Sequence, residues 1–296
     1  MDLWVPDSQL DRADPQRTDP DWVRRIWSDD AVVLGIDARG DVAVTPDGTA
    51  LDWRPASGEF VVERQFLLGL VDGVPHFAAA LDELPRATSL REIGPTLDDT
   101  SLDLVTTAIA LVNWHAVAPF CGVCGGPTQV RAGGTVRYCP RCERERFPRM
   151  DPAVIVAVLD DDGRLFLGHH VGWPQNRVSI LAGFVSAGES LEQAVRREVA
   201  EESGLTLGEV RYVGSQPWPF PRSLMLGFVA RATSVDAQVD GEEIEWGDFY
   251  SIDEVEQRVA DGRLALPMPL SIASTMISSW RRGELDVAAP RRPDAL

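Results

Sequence analysis

Apolar and polar positions change their period along the chain, and each change predicts a different kind of element. From Ala31 to about Leu81, short apolar runs (AVVLGI, DVAVT, EFVVERQFLLGLV, HFAAAL) alternate with turn residues at Asp37–Gly40, Pro46–Gly48 and Asp72–Gly73. Such runs predict a small, mostly β domain. Leu104, Val105, Ala108, Ile109, Leu111, Val112 and His115 then recur at helical spacing behind the possible caps Asp98, Asp99 and Thr100. A linking helix follows from that spacing, with Trp114 and His115 read as packing residues. From Ala153 the runs AVIVAVLD, RLFLGHH and VSILAG predict three strands, and EVRYVGS, LMLGFVARA and WGDFYS predict three more. Ser251 and Glu254 form a capping box opening a helix to about Asp261, and a last amphipathic helix runs from about Ser271 to Arg282. Residues 1 to about 20 read as a loose arm, and the tail DVAAPRRPDAL as disordered.

Between the two sets of strands lies GFVSAGESLEQAVRREVAEESGL, Gly183 to Leu205. Gly183 and Gly188 disfavour a helix in its first half, whereas Glu189 to Ser203 lacks breakers and stops at Gly204, so the stretch predicts a loop and then a helix. Glu201 and Glu202 stand three and four residues after Glu198, which crowds three carboxylates on one helical face. Like charges so placed repel. Either water solvates the face, or a hard cation such as Mg²⁺ or Mn²⁺ takes the carboxylate oxygens.

Charge narrows the partners. With 46 acidic and 28 basic residues the chain carries −18, which opposes DNA or bare RNA and favours cations. All 28 basic residues are arginine, so a lysine-dependent phosphate loop and lysine Schiff-base chemistry are excluded. No window approaches 18 consecutive apolar residues and no signal-peptide pattern opens the chain, so the expectation is a cytoplasmic protein with no membrane partner.

The four cysteines form two knuckles, Cys121/Cys124 and Cys139/Cys142, joined by a loop containing Gly133 and Gly134. That spacing suits a structural zinc site, one ion per chain, with all four positions filled and none open for chemistry. Disulfides are the alternative, disfavoured by the lack of a secretion signal. Arg131, Arg137, Arg141, Arg144, Arg146 and Arg149 surround the knuckles, either as a solvated or subunit-contact surface or as a phosphate-attracting patch. His76 reads as a packed or surface residue, and the adjacent His169 and His170 face opposite sides of a strand.

The fixed points Gly183, Glu189, Arg197, Glu198, Glu201, Glu202 and Gly204, with aliphatic Val199 and Leu205, resemble the signature of the Nudix hydrolases at every position. The stretch SQPWPFPRS, from Ser215 to Ser223, is similar to the segment marking the NADH pyrophosphatase branch, which also carries a four-cysteine ribbon ahead of its catalytic domain. The resemblance implies an α+β fold: a Nudix α/β/α sandwich preceded by a zinc ribbon and a mostly β N-terminal domain. The implied divisions are 1–97, a linking helix at 98–118, the ribbon at 119–149, the catalytic domain at 150–283 and the tail at 284–296.

By the same resemblance Glu198, Glu201, Glu202 and Glu243 hold Mg²⁺ or Mn²⁺, with Glu202 essential and Glu189 supporting Arg197 or the metal shell. Substrate contacts are implied at Phe184, Phe147, Gln216, Trp218, Phe220, Ser223 and Ala273. Phe147 is expected to come from a partner subunit, which implies a homodimer. The implied reaction splits NAD(H) into nicotinamide mononucleotide and AMP. NAD-capped RNA ends, ADP-ribose, or a catalytically silent nucleotide sensor are the alternatives.

Overall fold

The computed structural model describes residues 5–287, which divide into two compact units. One comprises residues 5–150 with Trp218–Arg222; the other comprises Asp151–Pro217 and residues 223–287.

In the second unit a sheet runs in the order Leu207–Trp218, Ser223–Ala232, Asp151–Leu159, Leu165–His170 and Ile244–Tyr250. Strand Asp151–Leu159 is its spine. It runs parallel to Ser223–Ala232 from Asp151 opposite Ser223 to Leu159 opposite Arg231. It also pairs antiparallel with Leu181–Phe184, placing Val154 opposite Gly183. Successive side chains of a strand face opposite sides, and both sides here are covered. Val154, Val156 and Val158 pack with Ala194, Val195 and Val199 of helix Leu191–Ser203. Ile155, Ala157 and Leu159 pack with Val255 of helix Ile252–Ala260 and with Met276, Ile277 and Trp280 of helix Ile272–Arg281. That double burial is why the run from Ala153 to Leu159 is apolar without alternation. The result is the α/β/α sandwich.

In the first unit the sheet order is Gln65–Val71, Val74–Ala80, Val32–Ile36, Val42–Ala43 and Ala87–Thr88, with Arg54–Pro55 beside Val32–Ile36. The predicted linking helix spans Asp99–Val117 and is capped by the Asp98 side chain, which accepts from Ser101 N. Its apolar stripe, including Leu104, Val105, Ala108 and Ile109, is buried. The ribbon strands Gln129–Arg131, Val136–Cys139 and Arg144–Arg146 join the same unit through the predicted glycine pair. Gly134 has φ +106°, and a Cβ there would stand 2.8 Å from Phe66 Cβ. Only glycine allows that approach.

A buried polar contact reinforces it. His115 Nε2 donates to Gly134 O at 2.7 Å, leaving Nδ1 to accept from Arg137 Nη1 at 2.9 Å. The ring stacks on Phe66 at 4.0 Å, and burial pushes its pKa down to about 4. A neutral imidazole is what the arginine requires.

The structure corrects the two ends of the chain. Of the segment read as a loose arm, residues 1–4 lie outside the described residues and the rest is docked: Asp11 and Leu70 exchange backbone hydrogen bonds, and Arg17 is buried with Nη2 donating to Leu67 O and Leu68 O. The tail read as disordered from Glu284 begins packed, since Leu285 and Val287 belong to the core beside Trp280. Residues 288–296 lie outside the described residues. Strand ends also differ. EVRYVGS extends to Leu207–Trp218, and VSILAG keeps regular pairing only at Leu181–Phe184. Apolar periodicity underestimates the first, most of whose residues are half-buried.

Leu285 is 4 % exposed, so Leu285→Ala removes a packed side chain rather than a tail residue. We expect a loss of about 2–4 kcal/mol, read as a lower urea midpoint with an unchanged slope. A midpoint within error of the parent would return this position to the tail.

Candidate active site

Helix Leu191–Ser203 begins at a complete capping box between Ser190 and Gln193 and ends at Gly204, whose φ of +68° is the left-handed cap. These two stops fix which face meets the sheet. Glu198 and Glu202 lie one turn apart on the inward side, 9 % and 4 % exposed, whereas the Glu201 side chain is 61 % exposed.

Burial is possible because of Gly183 on the neighbouring strand. A Cβ on Gly183 would overlap the Glu198 carboxylate, so the glycine is a cradle for that side chain. Burial raises the Glu198 pKa although Arg197 opposes the rise, with Nη1 at 2.7 Å from Glu198 Oε1. Glu202 has no such partner. Burial, aggravated by Glu198, Glu243 and Asp240, pushes it up to about 8, and its Oε2 has no hydrogen-bond partner among the described residues.

Arg197 is fully used. Its Nε and Nη2 donate to the two oxygens of Glu189 at 2.8 Å each, Nη2 also donates to Phe184 O at 3.0 Å, and Nη1 donates to Glu201 Oε2 at 2.9 Å. The paired guanidinium and the Ser186 amide hold the Glu189 carboxyl down to about 2. Glu189 and Arg197 therefore form a fork that fixes the loop before the helix to the helix itself.

Glu243 joins the cluster from the far edge of the sheet. Its charge raises both Glu198 and Glu202. Asp240 builds the turn that presents it, accepting backbone N–H groups from Glu242, Glu243 and Ile244 at 2.9–3.2 Å, which lowers its own pKa. Sequence reading missed Asp240, although Asp240–Gly241 before an acidic pair is a turn signal.

An orphaned buried carboxylate oxygen amid like charges, with only oxygen donors around it, suits a hard divalent cation. Glu198, Glu202 and Glu243 could hold one. Glu201 points instead to Arg197. The glutamates are not drawn tightly together, since among the described residues only the four cysteines bring ligand atoms within 4.8 Å of one another.

Those cysteines are all free thiols. Cys121 Sγ lies 3.6 Å from Cys142 Sγ, and Cys124 Sγ 3.5 Å from Cys139 Sγ. A tetrahedron with Zn–S bonds of about 2.3 Å has edges of about 3.8 Å, so the sulfurs fit zinc and not disulfides. Arg146 Nη2 lies 3.4 Å from Cys121 Sγ, and Arg141 donates to Cys124 O. Arg137 leaves the supposed patch altogether: it is buried, bonded to Thr128 and His115, and 3.5 Å from Glu63. Arg131 lies over the Tyr138 ring.

Comparison with known proteins matches these two sites to two models, a NUDIX domain over residues 149–267 and an NADH pyrophosphatase zinc ribbon domain over residues 118–147. NAD-capped RNA hydrolase NudC of Mycobacterium bovis is 41 % identical over 289 residues, covering 91 % of this chain and 92 % of that protein. The chain belongs to the Nudix hydrolases. It falls in their NADH pyrophosphatase branch. The Mycobacterium tuberculosis NudC is 40 % identical over the same coverage. Human NAD-capped RNA hydrolase NUDT12 is 36 % identical over 198 residues, 63 % of this chain and 43 % of that protein. Zinc in the ribbon and Mg²⁺ or Mn²⁺ in the Nudix site are the ions of such an enzyme.

The other expected contacts of this Nudix enzyme are scattered by type. Phe184 and Phe147 are 59 % and 64 % exposed. Ser223 and Ala273 are buried. Gln216 is also buried, with Oε1 accepting from Ile272 N at 2.6 Å and Nε2 donating to Leu270 O at 2.8 Å, so both ends of its amide are engaged within the fold. Trp218 and Phe220 meet edge-on at 5.2 Å. The peptide bond between Phe220 and Pro221 is cis. His169 is buried and His170 exposed, as their adjacency on a strand requires.

Glu202 gives a pH signature. Without metal, the folded protein keeps a proton up to about pH 8 that the unfolded chain releases near 4.5. Stability must therefore fall as pH rises through that window. In EDTA we expect the urea midpoint to drop between about pH 5.5 and 8, Glu202→Gln to flatten the drop, and Mn²⁺ to offset it in the parent protein. Equal slopes for parent and variant would show that Glu202 is not the group responsible.

Proposed function

We propose that the protein hydrolyses the pyrophosphate of NAD(H), giving nicotinamide mononucleotide and AMP. The observation that carries this reading is the buried, unpartnered Glu202 Oε2 beside Glu198 and Glu243, on a helix whose sequence retains the whole Nudix signature.

Divalent cations bound there supply positive charge at the pyrophosphate and make water a better nucleophile. The chain's own part is positioning. Glu198, Glu202 and Glu243 would present oxygens to the ions, and Glu201, now bound to Arg197, would be a further ligand. The fork of Glu189 and Arg197 holds the helix and the Phe184 carbonyl in register, so Arg197→Ala should lower metal affinity or turnover by about 10–100-fold. Phe184 and Phe147 offer exposed ring faces for a base. A base held between Phe184 and the other chain's aromatic needs a homodimer, which sedimentation at twice the chain mass would support and a single-chain mass would remove. Four thiols without a disulfide support a reducing, cytoplasmic location.

A second reading, removal of the NAD cap from RNA, is favoured by the relatives named NAD-capped RNA hydrolase, one of which aligns with 91 % of this chain. The scissile bond is the same. With Arg137 buried and Arg141 and Arg146 bound to the knuckles, Arg144 is the cleanest ribbon arginine for testing a contact with downstream phosphates.

The deciding experiment is product analysis after incubation with NADH, NAD⁺, ADP-ribose and a short NAD-capped RNA, each with Mg²⁺ or Mn²⁺. We expect nicotinamide mononucleotide and AMP from NADH, formed faster than AMP from ADP-ribose, and near-complete loss in a folded Glu202→Gln. Retention of most activity in that variant would overturn the site. Arg144→Glu should depress capped-RNA cleavage and spare NADH if RNA phosphates are held there; equal effects on both would remove the contact.

A further inference from the structure

Five residues, Trp218–Arg222, group with residues 5–150 in one compact unit. What holds them there is specific. The Arg91 guanidinium lies over the Phe220 ring at 4.6 Å and over the Trp218 ring at 5.7 Å from their centroids. Asn113 Nδ2 donates to Pro219 O at 3.3 Å. Both residues stand on anchored elements: Arg91 lies between buried Leu90 and Ile93, and Asn113 is on helix Asp99–Val117. Gly40, with φ +82°, leaves room for that amide, since a Cβ there would stand 3.4 Å from Asn113 Oδ1.

Arg91 is unusual in a chain with 46 carboxylates. No acidic partner of Arg91 lies within 4.0 Å among the described residues, and two aromatic faces take its place. A planar guanidinium can cover two rings that meet edge-on, which a compact ammonium does less well. Prolines 217, 219 and 221 already restrict the segment, and Gln216 is tied to Leu270 and Ile272. Few arrangements remain, and the cation and the amide select one.

We infer that Arg91 and Asn113 are positioning residues for the Trp218–Phe220 segment and thereby tune recognition of the dinucleotide. This rests on the proposed NAD(H) hydrolysis and on the contact of Trp218 and Phe220 with substrate that the family resemblance implies. Loss of one exposed cation–π contact lets the rings sample other arrangements and taxes binding by the fraction lost.

The test is steady-state kinetics of the full-length, zinc-loaded protein with NADH and with ADP-ribose. We expect Arg91→Ala to raise KM for NADH by about two- to fivefold with kcat nearly unchanged. Arg91→Lys should recover part of the loss, because a cation still reaches the rings. Asn113→Ala carries the same measurement should Arg91→Ala fail to fold. An unchanged KM for NADH in both variants, with a raised KM in Trp218→Ala, would overturn the positioning role and leave the substrate contact standing. Unchanged KM in all three would remove the substrate contact itself. Equal losses of kcat for both substrates would reduce Arg91 to general structural support.

Discussion

Two carboxylates kept out of water on one helix face are the constraint from which the arrangement of the catalytic unit follows. Glu198 and Glu202 need a neighbouring strand without a side chain, hence Gly183, and they need that strand held at a fixed register, hence its antiparallel pairing with Asp151–Leu159. The helix must not rotate. Its capping box, its left-handed glycine stop and the apolar contacts of Ala194, Val195 and Val199 with Val154, Val156 and Val158 prevent that. Burying like charges costs stability in the metal-free protein, and such local cost marks a site rather than a scaffold.

Arginine carries much of the polar structure, and its fork geometry explains how. Arg197 joins a loop, a carbonyl and three carboxylates. Arg137 ties the ribbon strand Val136–Cys139 to the linking helix through His115 and to Thr128. Arg17 closes the N-terminal segment on the backbone of Leu67 and Leu68. Arg197 and Arg137 use several donors in a plane, which lysine does not offer. The same economy thins the basic patch around the ribbon, since arginines that look free in a list of residues are committed in space.

The ribbon and the N-terminal sheet depend on one another through small residues. Gly133 and Gly134 let Leu67 and Phe66 approach the ribbon backbone, and the His115 ring stacks on Phe66 while it bonds Gly134. A ribbon of three short strands has little core of its own, so zinc and this contact share the work of ordering it. Trp218–Arg222 belongs to the same unit, where the Arg91 guanidinium lies over the Trp218 and Phe220 rings.

Strands, helices and the four-cysteine cluster were legible in the sequence because each rests on local chemistry: period, caps, breakers, and ligands at chelating spacing. The capping boxes at Ser190 and Ser251, the helix over Asp99–Val117 and the two cysteine knuckles are of this kind. What the tertiary structure alone decided is where polar groups spend their bonds. Gln216 faces Leu270 and Ile272, and Arg17 bonds the backbone of Leu67 and Leu68. Leu285 and Val287 join a core that no local pattern announces. Hydrogen bonds and burial depend on partners 50 or more residues away, as between Gln216 and Leu270, and a one-dimensional pattern holds no term for distance in space.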